Sequence, residues 1–177
     1  MQQLVAGVRD DQWHEPTPCT DWDVRQLVAH VIAGNRRFTA MAGGERQGAP
    51  LTPEELATYH IGDDAAASYR ASAEALREAF SQPGVLERIL PSPLGDQPGA
   101  GLVQMRVVEH LVHGWDLARA TAQQPAFPDE LAERTLAGMR SFLEGRPREG
   151  GPFKAPQPVA DDAPPLDRLA AFLGRSV

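Results

Sequence analysis

The amino-acid sequence predicts an all-α fold in which four main helices pack as a bundle. Apolar residues recur at helical spacing in four long segments, and stretches rich in Pro and Gly separate these segments. Alternation of apolar and polar residues, which would indicate half-buried strands, is nearly absent. The 177 residues suffice for one domain with a hydrophobic core, and we expect a single domain over residues 1–177. Four main helices with one long crossover are typical of a helical bundle.

The first two helices are predicted within the first 44 residues. Residues 2–9 form a short helix, and the prolines of HEPTPC end it. The second helix takes Thr20 as its N-cap, with two aspartates in the first turn, where carboxylates complement the helix dipole. Gly43 and Gly44 end this helix. Its apolar residues at helical spacing are Val24, Leu27, Val28, Val31 and Phe38.

A third helix follows a loop over residues 45–53. It begins either at Pro53 or at Asp63-Asp64 and runs to about Ser81. Its apolar stripe consists of Tyr69, Ala73, Leu76 and Phe80. The next stretch, QPGVLERILPSPLGDQPGAG, is rich in Pro and Gly, and we predict an extended crossover there.

The last helices are predicted in the C-terminal half of the chain. One spans residues 101–122, and another has Pro128 at its first position and ends near Leu143. After a loop, PLDRLAAFLGR forms a short helix that Gly174 stops. We expect residues 147–177, a loop and this helix, to pack on the bundle.

Composition excludes several classes of function. The net charge is −7 and the basic residues are scattered, so the electrostatic footprint of a nucleic-acid-binding protein is absent. A single cysteine allows no intrachain disulfide and suits a reducing cytoplasm. No apolar run approaches the roughly 20 residues that span a bilayer, and the N-terminus lacks a signal-peptide pattern. We expect a cytoplasmic protein, monomeric or homodimeric, with no nucleic-acid or membrane partner.

The segment VVEHLVHGWDLARAT contains a candidate metal-binding pair. Glu109 and His113 are spaced i, i+4, so their side chains share one face of the helix. Apolar residues flank them on that face, and burial of a carboxylate without a partner costs several kcal/mol. A bound cation would remove this cost, and two metal ligands one turn apart on a helix are a recurrent arrangement. The alternative is an ordinary pair on a solvated helix face.

A metal site needs at least a third ligand, and His30 is the best candidate. It lies beside Leu27 and Val31 near the apolar face of the second helix, and Gly34 leaves space one turn on. Metal sites in bundles are built from facing helices in this way. The alternative is a hydrogen-bonded histidine of the core.

Several neighbours have two interpretations. Asp116 either orients an imidazole or forms a cap or an ion pair, for instance with Arg119. Arg37 and Arg106 either bind an anionic substrate or are surface arginines. His110 points about 100° away from Glu109 around the helix, so we predict that it is not a ligand.

The remaining candidates are assigned structural roles. Cys19 precedes a helix N-terminus, where a thiolate would be stabilised, but we interpret it as a small buried residue and not as a nucleophile. Trp22 and Trp115 are predicted to anchor the core. His14 and His60 lie in predicted loops and are expected to be solvated.

Three segments carry a resemblance to a known family. PTPCTDWDVRQLVAHV, RVVEHLVHGWDLARAT and DDAPPLDRLAAFLGR resemble the actinobacterial branch of the DinB-like superfamily, which includes mycothiol-dependent maleylpyruvate isomerase and many metal-binding relatives. The resemblance implies a DinB-like four-helix bundle with up-down-down-up topology. It also implies a metal triad of His30, Glu109 and His113.

The chain departs from the family pattern at both ends. Relatives usually have a longer first helix, and the isomerase has an additional C-terminal domain that contributes to substrate handling. We expect this chain to be too short for that domain, so the isomerase reaction itself does not transfer to it.

Two imidazoles and one carboxylate would leave one coordination position open, as in catalytic metal sites. These donors suit zinc, and nickel or another first-row metal also fits. Bound water would become a hydrolytic nucleophile, whereas a bound thiol would lose its proton. The resemblance favours the thiol, with mycothiol as cosubstrate, and predicts a thiol transferase or thiol-dependent isomerase acting on a small electrophile. The alternatives are a zinc-dependent hydrolase and a non-catalytic metal-binding module.

Overall fold

Helices form most of the structure, as the sequence predicts. The computed structural model describes residues 1–92, 95–148 and 153–177. Within this part of the chain there are seven α-helices and one two-stranded antiparallel sheet, and the all-α class is confirmed. The helices are α1 (Gln2–Ala6), α2 (Val24–Ala42), α3 (Pro53–Thr58), α4 (Ala65–Phe80), α5 (Gly99–Thr121), α6 (Asp129–Leu143) and α7 (Pro165–Phe172). The strands are β1 (Ile89–Leu90) and β2 (Gln97–Pro98).

The start of α2 differs from the prediction. Asp23 is the N-cap and not Thr20: the Asp23 carboxylate accepts a hydrogen bond from the Gln26 amide at 2.8 Å, and the Gln26 side chain accepts one from the Asp23 amide at 2.9 Å. The residues before Asp23 form a turn in which the Trp22 amide donates to the Cys19 carbonyl. Because of it, α2 begins about one helical turn later in the sequence than predicted.

A helix begins at each of the two positions predicted as alternative starts of the third helix. Thr52 caps α3 through the Glu55 amide, and Asp64 caps α4 through the Ala67 amide. The segment is therefore two helices and not one. The short first helix is confirmed, although α1 ends at Ala6 and a 3-10 turn follows over Asp10–Gln12.

The predicted extended crossover is only partly extended. Residues 81–88 form turns and bends, and the two short strands pair with Leu90 opposite Gln97. Each strand has two residues, too few to produce a periodic signal in the sequence. Residues 93 and 94 of this crossover lie outside the described residues.

The C-terminal helices agree with the prediction except at one end. Pro128 is the N-cap of α6 and not its first residue, because its ψ of 131° is extended. The end of α6 at Leu143 is confirmed, and α7 ends just before Gly174, whose φ is +99°. The loop predicted between these helices includes residues 149–152, which lie outside the described residues.

Helix α2 lies at the centre of the packing and positions the site. It packs against α4 and α5, and its apolar residues at helical spacing are fully or nearly fully buried. Helix α5 also packs against α6 and α7, and there the buried Trp115 indole donates a hydrogen bond to Asp167 at 2.6 Å. The predicted role of Trp115 as a core anchor is confirmed. In the described part of the chain, no helix combines the length and the apolar character needed to cross a membrane.

The cap of α2 gives a test of this local structure. Asp23→Ala removes the acceptor for the Gln26 amide and is expected to lower the free energy of unfolding by about 1 kcal/mol. Thr20→Ala is the matched control, since Thr20 is not the cap, and is expected to cost less than about 0.5 kcal/mol. Urea unfolding measures both values. Equal effects of the two substitutions would contradict the assignment of the cap.

Candidate metal centre

Helices α2 and α5 bring His30, Glu109 and His113 together. One ligand atom of each residue lies within 4.8 Å of the other two. Glu109 Oε2 is 2.9 Å from His30 Nε2 and 3.4 Å from His113 Nε2. The i, i+4 spacing places Glu109 and His113 on one face of α5, and the packing of α2 on that face adds His30.

Asp116 fixes which nitrogen of His113 faces this cluster. His113 Nδ1 is 3.0 Å from Asp116 Oδ2, and the Asp116 side chain is fully buried. A carboxylate only accepts hydrogen bonds, so Nδ1 carries the hydrogen and Nε2 faces Glu109. This is the orienting role that the sequence offered for Asp116. The ion pair with Arg119 is wrong, because Arg119 pairs with Asp167 at 3.4 Å, while Asp116 pairs with Arg175 at 3.0 Å.

The buried charges shift the pKa values of the three residues in different directions. Burial alone would raise the pKa of Glu109, but hydrogen bonds to His113 and His30 hold it well below its usual range. Burial would lower the pKa of His113, but hydrogen bonds to Asp116 and Glu109 raise it. Burial dominates at His30 and lowers its pKa. A proton therefore binds best at His113, between two carboxylates.

The donor set fits a divalent metal ion. Once His113 is neutral, its Nε2 lone pair faces the same position as the Glu109 carboxylate, and His30 Nε2 lies beside them. Two imidazole nitrogens and one carboxylate oxygen are ligands that zinc and other first-row metals accept. A metal ion bound there would therefore compete with a proton for one position.

A second group of possible ligands fits a metal less well. Cys19, His113 and Asp116 also have ligand atoms within 4.8 Å of one another. However, both Asp116 oxygens already accept hydrogen bonds from Arg175, and burial raises the pKa of the Cys19 thiol to about 11. The thiol therefore stays protonated at neutral pH, in agreement with the prediction that it is not a nucleophile.

Trp22 covers the imidazoles of the site. Its ring lies 4.3 Å from the His30 ring and 5.4 Å from the His113 ring, centroid to centroid. Trp22 also packs against the apolar core, as predicted. The indole therefore contacts both the hydrophobic core and the metal-ligand cluster, and it limits the access of water to one side of the cluster.

A cavity of about 120 Å³ opens beside His30 and Glu109. Both predicted substrate-binding arginines line it. Arg37 donates hydrogen bonds to the carbonyls of Gly48 and Ala49, so it holds the loop that forms one wall. The other lining residues are Ala33, Gly34, Phe38, Pro50, Leu51 and Leu56.

Arg106 is buried, and its interpretation as a surface arginine is wrong. Its side chain is 4% exposed and Nη1 lies 3.8 Å from Glu109 Oε2. Gly34 makes the room, since a Cβ at that position would lie 2.7 Å from Arg106 Nη1. Arg106 Nη2 donates to the buried Asn35 at 2.8 Å. Sequence reasoning missed Asn35, although a polar residue one turn after Val31 on an apolar face was a usable signal.

The other histidines lie outside the cluster. His110 Nδ1 donates to the Arg106 backbone carbonyl at 2.8 Å, and burial lowers the pKa of His110 to about 4. His110 belongs to neither ligand group found among the described residues. His14 and His60 are exposed, as predicted, and His14 contacts Asp23.

Comparisons with known proteins agree with the resemblance seen in the sequence. A family model described as the mycothiol maleylpyruvate isomerase N-terminal domain matches residues 1–118, which include all three clustered residues. Uncharacterized proteins from two strains of Mycobacterium tuberculosis are each 37% identical to the chain over 175 residues, covering 98% of it and 91% of the relative. No solved structure matches the chain.

Proposed function

The chain belongs to the mycothiol maleylpyruvate isomerase N-terminal domain family, and from this membership we propose that it is a metal-dependent enzyme that joins a thiol to a small electrophile. The thiol is mycothiol, which the name of the family suggests. The reaction is either a transfer, in which the conjugate is the product, or an isomerisation, in which the thiol is released again.

The metal ligands in this proposal are His30, Glu109 and His113. Zinc suits this donor set, and nickel or another first-row metal also fits it. A divalent metal bound there supplies Lewis acidity, which favours the deprotonated form of a coordinated thiol. Asp116 keeps the Nδ1 hydrogen of His113 and so keeps Nε2 directed at Glu109.

The observation that carries the proposal is the positive charge beside the ligands. Arg106 is buried against Glu109, and Arg37 lines the same cavity. A buried cation acts strongly on neighbouring charges because water screens it little. Glu109 is itself negative, and Arg106 offsets its charge. A divalent ion held by the three ligands would then leave the site positively charged, which favours an anionic sulfur or an anionic group of the electrophile beside His30.

The size of the cavity limits what enters it. About 120 Å³ corresponds to roughly four water molecules, which is room for the reacting ends of two small molecules. The remainder of a thiol as large as mycothiol would lie outside the cavity, along the loop that Arg37 holds. In the reaction the thiol loses its proton to solvent and the sulfur forms a bond to the electrophilic carbon. In a transfer, a leaving group departs from that carbon with its electron pair. In an addition, the electron pair of the double bond moves to the neighbouring carbon, which takes up a proton from solvent, and reversal of this step releases the thiol after isomerisation.

The hydrolase alternative has less support. It needs a general base beside the open position, and Asp116, which contacts His113 at 3.0 Å, is the carboxylate to consider. Both Asp116 oxygens accept hydrogen bonds from Arg175, one also contacts His113, and the side chain is fully buried. A carboxylate held in this way is poorly placed to accept a proton from water.

The non-catalytic alternative would be favoured by a fourth side-chain ligand. Among the residues that the structure describes, the group around Glu109 consists of three residues. Three ligands leave a position for an external ligand, which supports a catalytic site over a closed structural one.

The proposal is tested by following conjugation of the thiol. Zinc-loaded protein is incubated with mycothiol and a panel of small electrophiles, and conjugates are measured by mass spectrometry. We expect a conjugate or an isomerised product that forms faster than without protein, and no such acceleration with His113→Ala. Cobalt-loaded protein should also gain a sulfur-to-metal absorption band when mycothiol is added. Absence of both the reaction and the band would reject the role of the thiol.

A further inference from the structure

Arg175, which lies beyond α7 and far from the proposed ligands in the sequence, reaches the candidate metal centre. Its Nε donates to Asp116 Oδ1 at 3.2 Å, and its Nη2 donates to Asp116 Oδ2 at 3.0 Å. The Arg175 side chain is 10% exposed and the Asp116 side chain is fully buried. The two residues therefore form a buried bidentate pair that joins the C-terminal segment to α5.

The backbone conformation after α7 brings Arg175 to Asp116. Gly174 has a φ of +99°, and the Arg175 amide donates to the Ala170 carbonyl at 3.0 Å. This closure turns the chain back toward α5. A Cβ at position 174 would lie 2.5 Å from Lys154 Cβ, so both the backbone conformation and the space available call for glycine there.

The pair determines the orientation of a proposed metal ligand. Asp116 Oδ2 also accepts the hydrogen bond from His113 Nδ1. A planar guanidinium that contacts both oxygens fixes the rotation of the carboxylate, which a single hydrogen bond from His113 does not. The direction of the imidazole depends on the carboxylate, and so on Arg175.

We propose that Arg175 is a positioning residue of the metal centre, which acts through Asp116 to hold His113 Nε2 toward Glu109. This inference rests on the proposed metal site. It adds that residues beyond 118, where the family match ends, complete that site. The C-terminal segment thus contributes to metal binding without contacting the metal itself.

The test is the zinc affinity of Arg175→Gln, measured by competition with a chromophoric chelator. Loss of a partner behind a metal ligand typically weakens binding by about 10–100-fold, and we expect a loss in this range. Arg175→Lys keeps the charge but not the bidentate contact, so its affinity should be intermediate. Arg168→Gln is the matched control, because Arg168 also lies in the C-terminal segment but pairs with Glu133. It should bind zinc as the wild type does.

A general loss of stability is distinguished by two further readouts. The absorption spectrum of cobalt-loaded Arg175→Gln should differ from that of the wild type, because the coordination geometry changes. The loss in Asp116→Asn should not grow when Arg175→Gln is added, since residues that act through one contact are non-additive.

The outcomes separate this inference from the proposed function. If the wild type binds no metal, the proposed function fails and this inference fails with it. If the wild type binds zinc and Arg175→Gln has the same affinity and cobalt spectrum, only the role of Arg175 is overturned. Should Arg175→Gln not fold, an unchanged affinity and spectrum in Arg175→Lys would overturn it equally.

Discussion

Glu109→Gln and His113→Ala are each expected to abolish tight binding of zinc. Each removes one of three ligands, so the loss of affinity should exceed the about 10–100-fold typical of residues behind the ligands. Glu109→Gln nearly preserves the volume of the side chain but removes its charge. After the protein is dialysed against zinc and then against buffer, elemental analysis should find about one metal ion per wild-type chain. It should find little in either variant.

The control for this experiment is His60→Ala. His60 is exposed and belongs to neither group of possible ligands among the described residues, so its loss reports on adventitious binding by surface histidines. We expect wild-type metal content in this variant. Equal metal content in the wild type, Glu109→Gln and His113→Ala would remove the assignment of Glu109 and His113 as ligands, while a loss in His60→Ala would show that the bound metal lies elsewhere.

Zinc affinity and the stability of the metal-free protein are expected to respond to pH in opposite directions above about pH 6.5. Asp116 and Glu109 raise the pKa of His113 above its ordinary value of 6.5, against the effect of burial. The resulting stabilisation is fully present below 6.5 and is lost as pH rises through the folded pKa. Zinc needs the neutral imidazole, so its affinity should rise about tenfold per pH unit until that pKa is passed.

This pH range isolates His113 from the other buried histidines. Burial lowers the pKa values of His30 and His110, so their contributions to the pH dependence of stability end near 6.5. Urea unfolding with a chelator gives the stability, and chelator competition gives the affinity, at a series of pH values. His113→Gln should lose the fall in stability above pH 6.5. The partly buried N-terminal ammonium, whose pKa burial lowers, titrates in the same range, so the comparison with His113→Gln is what counts. An identical pH dependence of the metal-free stability in the wild type and His113→Gln would contradict the proton position between Glu109 and Asp116.

The predicted helices were confirmed where the signal was local. The apolar residues of α2 recur along one stripe, and burial follows that stripe because the period of an α-helix relates neighbours in sequence directly to neighbours on a face. The predicted boundaries failed where several polar residues competed for one role. Thr20 and Asp23 are both good N-caps, and only the turn that Cys19 and Trp22 form decides between them.

The candidate site, too, was predictable from the sequence where its residues lie on one helix. The spacing of Glu109 and His113 was sufficient to place both on one face, since both lie on one helix. His30 was joined to them by its apolar neighbours and by the family resemblance, and the structure brings the three residues together. Metal binding itself stays a prediction until the metal content is measured.

The sequence by itself determined the helical class, the buried face of α2 and the shared face of Glu109 and His113. Only the tertiary structure decided that Arg106 is buried against Glu109 and that Asp116 pairs with Arg175 instead of Arg119. The periodicity of apolar residues depends on positions close together in one helix, so the sequence alone shows it. The burial and partner of a charged side chain depend on whichever distant segment packs over it, and Arg175 is 59 residues from the carboxylate that it holds.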